Sequence, residues 1–216
     1  MTSKAQVRAA VRAARRVRAA DVAGRAAAAE SLAVGARGLV HGLGTFSDGV
    51  CRVAAYESTR TEPPTERLRA TLRAAGHEVL LPVITGPREL HWRLDGQADE
   101  MPGSGWGADG LAVADLVLTP GLSVDSSGLR LGQGGGYYDA ALAHVRPGVP
   151  VVTVLWDEEF VDERLPAEHH DRRVDAVLTP GRGVIWLRPG AGQGLGTRRS
   201  SSTFAAVTDG SVNGHE

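Results

Sequence analysis

The ten residues Arg130-Leu131-Gly132-Gln133-Gly134-Gly135-Gly136-Tyr137-Tyr138-Asp139 concentrate groups that can do chemistry. Glycines let backbone N–H groups converge on an anion without side chains in the way, and a helix start directly after them adds positive potential. Arg130 brings a planar, permanently charged donor suited to phosphoryl oxygens. Asp139 brings a hard oxygen ligand of the kind magnesium takes. Together these groups describe a phosphate cradle. Two familiar nucleotide motifs are absent: no GxxxxGK[ST] occurs, and a GxGxxG begun at Gly132 meets Tyr137 at its sixth position. A glycine run by itself serves a tight structural turn equally well. It is the Arg, the glycines, two tyrosines and an aspartate within ten residues that point to chemistry.

A second group of cations lies at the amino terminus. From Met1 to Val40 there are eight basic residues against two acidic ones, in an alanine-rich, proline-free stretch that predicts helices. Ser3 caps the first and Asp21 the second, which runs towards Gly42. Lys4, Arg8, Arg12 and Arg15 follow a three-to-four spacing and form one basic stripe. Stripes of this kind usually face solvent; this one is unusual in carrying a single sign.

The rest of the chain alternates. Val50 to Glu57 reads as a strand, Arg60–Pro64 as a turn, Thr65 to Ala75 as a helix stopped by Gly76. Val79 to Ile84 is a continuous apolar run, expected of a strand covered on both faces. Glu89 to Leu94 suggests another strand, and residues 96–110 a long loop. Asp115–Gly121 and Asp175–Gly181 are near copies, each a buried strand ended by proline and glycine, which suggests parallel strands delivering loops to one edge. Gly136 to Val145 reads as a helix and Pro150 to Leu155 as a buried strand. This alternation predicts a single α/β domain with a largely parallel sheet over residues 1–188, its ligands at the carboxyl ends of the strands. Residues 189–216, glycine- and serine-rich, read as a disordered tail.

Composition sets bounds. Of 216 residues, 42% are apolar and 23% charged, and the formal net charge is -1. That balance makes no electrostatic case for nucleic acid or membrane binding. The single cysteine, Cys51, rules out an internal disulfide and reads as a buried small hydrophobe. His169 and His170 read as surface histidines. A cytoplasmic monomer acting on small molecules is expected.

The stretch from Pro120 to Asp139 resembles the signature of the 5-formyltetrahydrofolate cyclo-ligase family, roughly PGxxxDxxGxRLGxGxGYYD. Pro120, Gly121, Asp125, Gly128, Arg130, Leu131, Gly132, Gly134, Gly136, Tyr137, Tyr138 and Asp139 all match. The resemblance implies a three-layer α/β/α sandwich, similar to the fold of sugar-phosphate isomerases and CoA transferases. It implies an ATP- and Mg2+-dependent cyclisation of 5-formyltetrahydrofolate to 5,10-methenyltetrahydrofolate. ATP contacts would come from Lys4, Arg8, Arg130, Leu131, Gly132, Gln133, Gly134, Gly135, Gly136, Tyr137 and Tyr138, with Arg130, Gln133, Tyr137 and Tyr138 at the chemistry. Glu62, with Glu57, Trp106 and Tyr138, would hold the folate, Glu62 through a charge-assisted contact to the pterin. Without the family, Glu62 reads as a cap for the helix behind it. Pro166-Ala167-Glu168-His169-His170-Asp171 resembles the family's Pro-x-Glu-x-x-Asp, which makes Asp171 the partner of Asp139 at magnesium. One departure stands out: relatives carry a Glu-Pro pair in the loop after the aromatic, where this chain has Gly107-Ala108-Asp109-Gly110. The rival expectation is a relative that kept the nucleotide cradle but lost catalysis, contacting RNA through its basic first helix.

Overall fold

In the computed structural model, which describes residues 3–46, 48–96, 106–167 and 172–187, the chain opens with two helices. Helix α1 (Lys4–Arg18) begins at a capping box in which Ser3 and Gln6 exchange hydrogen bonds. Helix α2 (Val22–Gly42) is capped by Asp21, whose carboxylate accepts from the Gly24 N–H at 2.9 Å. Ala28, Leu32, Ala36 and Val40 recur at i+4 and form its buried face.

Strand β1 (Arg52–Ala54) is followed by helix α3 (Glu66–Ala74), strand β2 (Glu78–Gly86) and strand β3 (Glu89–Leu94). Beyond the described gap come β4 (Leu116–Pro120), β5 (Ser123–Asp125), β6 (Arg130–Leu131), helix α4 (Tyr137–Ala141), β7 (Val151–Val154), β8 (Phe160–Val161), β9 (Ala176–Thr179) and β10 (Gly183–Trp186). Seven strands form one sheet in the order β10-β9-β7-β4-β1-β2-β3. The central strands are all parallel, and antiparallel β10 and β3 close the two edges. The expected near copies are β4 and β9, both parallel to β7, which lies between them.

Both faces of the sheet are covered, which explains the uninterrupted apolar runs. One face meets α2 and α3 around Leu32, Leu39, Leu68, Leu72, Leu116 and Leu118. The other meets α4 and short helical turns around Trp92, Leu111, Leu142, Val151 and Val177. Cys51 is fully buried on the first face, where burial, and then the charge of Asp115, push its thiol up. Among the described residues no helix is long and apolar enough to cross a membrane.

Three expectations need correction. The strand expected over Val50–Glu57 ends at Ala54, and its last residues leave the sheet as a loop. Strand β2 is sandwiched only at Val79–Leu81; Val83 and Ile84 are exposed, because β2 runs past the sheet core as a two-stranded ribbon with β3. The helix expected from Gly136 to Val145 is α4 alone, five residues long, continued by a short 3-10 turn. Residues 188–216, hence the expected tail, lie outside the described residues, as does Asp171.

Strand order reverses direction between β1 and β4. In sheets of this kind the crevice beyond the carboxyl ends of two such strands is open, because their connections leave to opposite sides. That crevice receives the loop after β1, carrying Tyr56, Glu57 and Glu62, and the loop after β4, which leads to Arg130.

Candidate functional site

A second, three-stranded sheet, β6-β5-β8, turns the chain after β4 and presents Arg130 at its end. Asp125 anchors this turn. Its buried carboxylate accepts from Ser127 N–H and Oγ, Leu129 N–H and Leu165 N–H. Burial works against the charge, but these hydrogen bonds outweigh it and hold the carboxyl below its ordinary value of 3.8. A depressed carboxyl stabilises the fold above its unfolded pKa and loses that stability as pH falls through the folded one. Asp125→Asn should therefore cost about 1.5–3 kcal/mol at neutral pH, and the gap to the parent should narrow as pH falls below 4. Urea midpoints between pH 7 and pH 2.5 measure this; a constant gap would exclude an ionised anchor.

The side chain of Arg130 is buried. One arm donates to Pro120 O at 3.2 Å and the other to Asp139 Oδ1 at 2.6 Å, and its guanidinium lies 5.8 Å from the Tyr138 ring centroid. The glycine loop follows. Gly134 (φ 103°) and Gly136 (φ 72°) occupy the left-handed region that other residues rarely adopt. The loop is held from the amino-terminal side. Arg8 Nε donates to Gly132 O at 3.0 Å, and Arg12 donates to Gln133 O at 2.9 Å and to its side-chain Oε1 at 3.0 Å. Gln133, with that oxygen engaged, fixes the loop to α1. The basic stripe is therefore not a solvated face; it is the clamp between α1 and the loop.

Arg15, the last cation of the stripe, is 2% exposed. It donates to both oxygens of buried Glu159 at 2.6 and 2.7 Å and to Gly121 O at 2.6 Å, while its Nη1 stands 4.0 Å from Glu62 Oε1. Burial disfavours the guanidinium charge, but the hydrogen bonds and charge of Glu159 prevail and raise its pKa.

The loop forms the wall common to two cavities. The first, of about 550 Å3, is cationic: Lys4, Arg8, Arg88 and Arg130 face it, with Asp139 as its acid. The second, of about 480 Å3, shares Arg130, Gly132, Gly134, Gly136 and Asp139 and continues to Tyr56, Glu57, Glu62 and Tyr138. Its remaining wall is apolar: Pro82, Ile84 and Leu90 of the β2–β3 ribbon. This is why Ile84 can stand 66% exposed at the end of an apolar strand. An apolar wall facing polar groups suits an aromatic ligand with polar edges.

Glu62 does not cap α3; Thr65 stands at that cap position. One Glu62 oxygen accepts from Thr59 N–H at 2.8 Å and Thr59 Oγ1 at 3.0 Å, leaving the other towards Arg15. Tyr56 and Tyr138 have buried hydroxyls with no hydrogen-bond partner among the described residues. Burial pushes both phenols up, with Glu62 adding to the effect, so both stay protonated as donors. Unsatisfied buried donors beside a cavity mark where a ligand's acceptors belong. Glu57 sits at the rim, 3.3 Å from Arg93.

Most expected site residues converge here: Lys4, Arg8, Glu57, Glu62, the loop, both tyrosines of the signature and Asp139. Trp106 does not. The Trp92 N–H donates to its carbonyl at 2.7 Å, and its ring packs against the second core. Trp106 is not among the residues that line either cavity. Asp171 lies outside the described residues. Positive potential comes from side chains more than from α4, which is too short for a strong dipole. Sequence reasoning missed Arg88 and the roles of Arg12, Arg15 and Tyr56. The continued one-signed stripe was a signal for the two arginines of α1; Arg88 had none.

A family model described as the 5-formyltetrahydrofolate cyclo-ligase family matches residues 1–180. A 5-formyltetrahydrofolate cyclo-ligase of Mycolicibacterium smegmatis is 37% identical over 166 residues, covering 70% of this chain and 84% of that protein. Among solved structures, the 5,10-methenyltetrahydrofolate synthetase of Aquifex aeolicus superposes with a TM-score of 0.68 at 22% identity, covering 95% of this chain and 99% of that one. The 5,10-methenyltetrahydrofolate synthetase of Mycoplasma pneumoniae gives 0.61 at 17%, covering 81% and 96%. At these identities the structural likeness speaks for the mixed α/β fold with its large, mostly parallel sheet.

Proposed function

The chain belongs to the 5-formyltetrahydrofolate cyclo-ligase family, and we propose that it closes 5-formyltetrahydrofolate to 5,10-methenyltetrahydrofolate while converting ATP to ADP and phosphate. The observation that carries this reading is the shared wall. A cationic cavity and a pterin-sized, partly apolar cavity meet at Gly132–Gly136, so a terminal phosphoryl group in one can reach an oxygen in the other.

The N5-formyl group is an amide, and its oxygen is a poor leaving group. Attack of that oxygen on the γ-phosphorus releases ADP and leaves an iminium phosphate. N10 then adds to the formyl carbon and loses its proton, and phosphate departs with the former formyl oxygen. The nucleophile is part of the substrate, so the protein's task is positioning and charge neutralisation. Lys4, Arg8 and Arg130 face the phosphates. Glu62 accepts from pterin N–H groups, with Tyr56 and Tyr138 as donors to substrate oxygens. Tyr137 and Gln133 hold the loop in register.

Magnesium, when bound, neutralises phosphate charge. Asp139 fits that role as a partly exposed hard oxygen donor on the wall of both cavities. Among the described residues no cluster of three acidic, histidine or cysteine side chains accompanies it, so phosphate oxygens and water would complete the shell. Asp171 remains the second ligand that the family resemblance implies.

The two cores on opposite sheet faces support a three-layer α/β/α reading of the kind seen in sugar-phosphate isomerases and CoA transferases. We read residues 1–188 as one catalytic domain and 189–216 as a tail, in a cytoplasmic monomer. Against the RNA-binding rival stands the engagement of Arg8, Arg12 and Arg15 within the chain.

The test is direct. Purified protein with 5-formyltetrahydrofolate, ATP and magnesium should build up the near-ultraviolet absorbance of methenyltetrahydrofolate, dependent on ATP. Absence of that signal would defeat the reading. Glu62→Gln should raise KM for the folate by about tenfold or more while leaving KM for ATP nearly unchanged, as expected for loss of a charge-assisted contact.

A further inference from the structure

We propose that Arg88, at the tip of the β2–β3 ribbon, contacts the terminal phosphoryl group during transfer and is a catalytic residue of this site. The inference rests on the cyclo-ligase reading for the reaction, but its geometry is independent of the signature, which begins at Pro120, more than thirty residues after Arg88.

Arg88 is the sole non-glycine residue with positive φ among the described residues, at 59°. It stands third in the turn Gly86-Pro87-Arg88-Glu89, the position at which a type II turn needs positive φ and where glycine serves best. A β-branched or long side chain there works against the backbone, so what the position gains must come from the side chain. A register shift between Ile84 and Gly86 lies directly before the turn, a bulge of the kind that re-aims neighbouring side chains.

The side chain goes to the cationic cavity. A Cβ built on Gly136 would lie 3.1 Å from Arg88 Nε, so the guanidinium is packed over the loop at a glycine common to both cavities. The ribbon thus serves two ligands. Its apolar residues, Pro82, Ile84 and Leu90, wall the larger substrate, and its tip brings a cation to the junction. The other arginines of the cavity are engaged: Arg8 with Gly132 O, Arg130 with Pro120 O and Asp139. Arg88 makes no hydrogen bond or ion pair with any described residue. A planar, unengaged guanidinium at the junction is where charge builds on the phosphoryl group as it passes from ADP to the formyl oxygen.

Arg88→Gly separates function from structure, since glycine relieves the backbone while deleting the cation. Its melting temperature should equal or exceed that of the parent, whereas kcat should fall by about 10²-fold. Calorimetric titration without folate should show ATP affinity down about tenfold and ADP affinity little changed. Arg88→Lys should recover part of the ATP affinity and little of kcat. Turnover and ATP affinity both within twofold of the parent in Arg88→Gly would overturn the proposal. So would a variant whose activity falls only in step with a lowered melting temperature. If the parent itself forms no methenyl product, the cyclo-ligase reading fails and titration alone decides Arg88. A preference for ATP over ADP that vanishes in Arg88→Gly upholds the contact, and equal parent affinity for the two nucleotides overturns it.

Discussion

Replacing Arg130 with alanine should lower kcat by about 10²-fold or more while shifting stability little, as expected for a donor aimed at charge that develops in the transition state. Arg130 is buried at the start of β6, bonded to Pro120 O and Asp139, and belongs to the wall between the two cavities. Asp139 is about one-third exposed, so water can replace the lost guanidinium at its carboxylate, and the fold should tolerate the change. Lysine should not restore the rate. Its single ammonium cannot keep one arm on Pro120 O and another on Asp139 while facing a phosphoryl oxygen. Rapid-mixing measurement of methenyl product with saturating ATP and folate gives kcat directly. Turnover unchanged in Arg130→Ala would remove Arg130 from the chemistry, whatever its effect on ATP affinity.

The second large effect falls on stability. Arg15→Met should destabilise the protein by about 3–5 kcal/mol, since it strands the buried Glu159 carboxylate. Burial raises Glu159 above its ordinary value of 4.5, and the hydrogen bond and charge of Arg15 hold it back. With Arg15 gone the carboxyl rises further. A carboxyl with a raised folded pKa loses stability as pH climbs above its unfolded value, so the penalty should be small near pH 4.5 and grow towards pH 7. Adding Glu159→Gln should recover much of the loss, because a neutral amide costs less to bury than an unpaired charge. Urea unfolding of the four proteins of this double-mutant cycle measures the coupling. Equal losses at pH 5 and pH 7, with no recovery in the double variant, would show that the pair contributes through packing alone. The pair also ties α1 to Gly121 and stands beside Glu62, so Arg15→Met should raise KM for both substrates even where the protein remains folded.

Much of this was legible in the residue order. Buried parallel strands announce themselves as apolar runs, because a strand covered on both faces has no polar side to show; β4, β7 and β9 were readable for that reason. Ser3 and Asp21 marked the helix starts, since capping is local chemistry between neighbours. The span from Arg130 to Asp139 carried its meaning in consecutive residues. So the α/β class, the glycine cradle and the family could be drawn from sequence without coordinates.

What needed the tertiary structure were relations between residues far apart in the chain. Whether Arg8, Arg12 and Arg15 face water or the loop depends on where α1 docks, with hydrogen-bond partners 106 to 144 residues away in the chain. The helical period alone places them on one face and says nothing of what that face meets. Ile84 looks like core by composition, yet it walls a cavity because β2 outruns its sheet. Trp106 looks like a ligand platform, yet its backbone pairs with Trp92. Arg88 sits in an unremarkable turn, and only the close approach of that turn to Gly136 brings its cation to the cavity junction. Local sequence settles what nearby atoms decide, namely periodicity, capping and turn preference. Long-range packing settles which charges meet, because that depends on how the sheet order folds distant loops over one crevice.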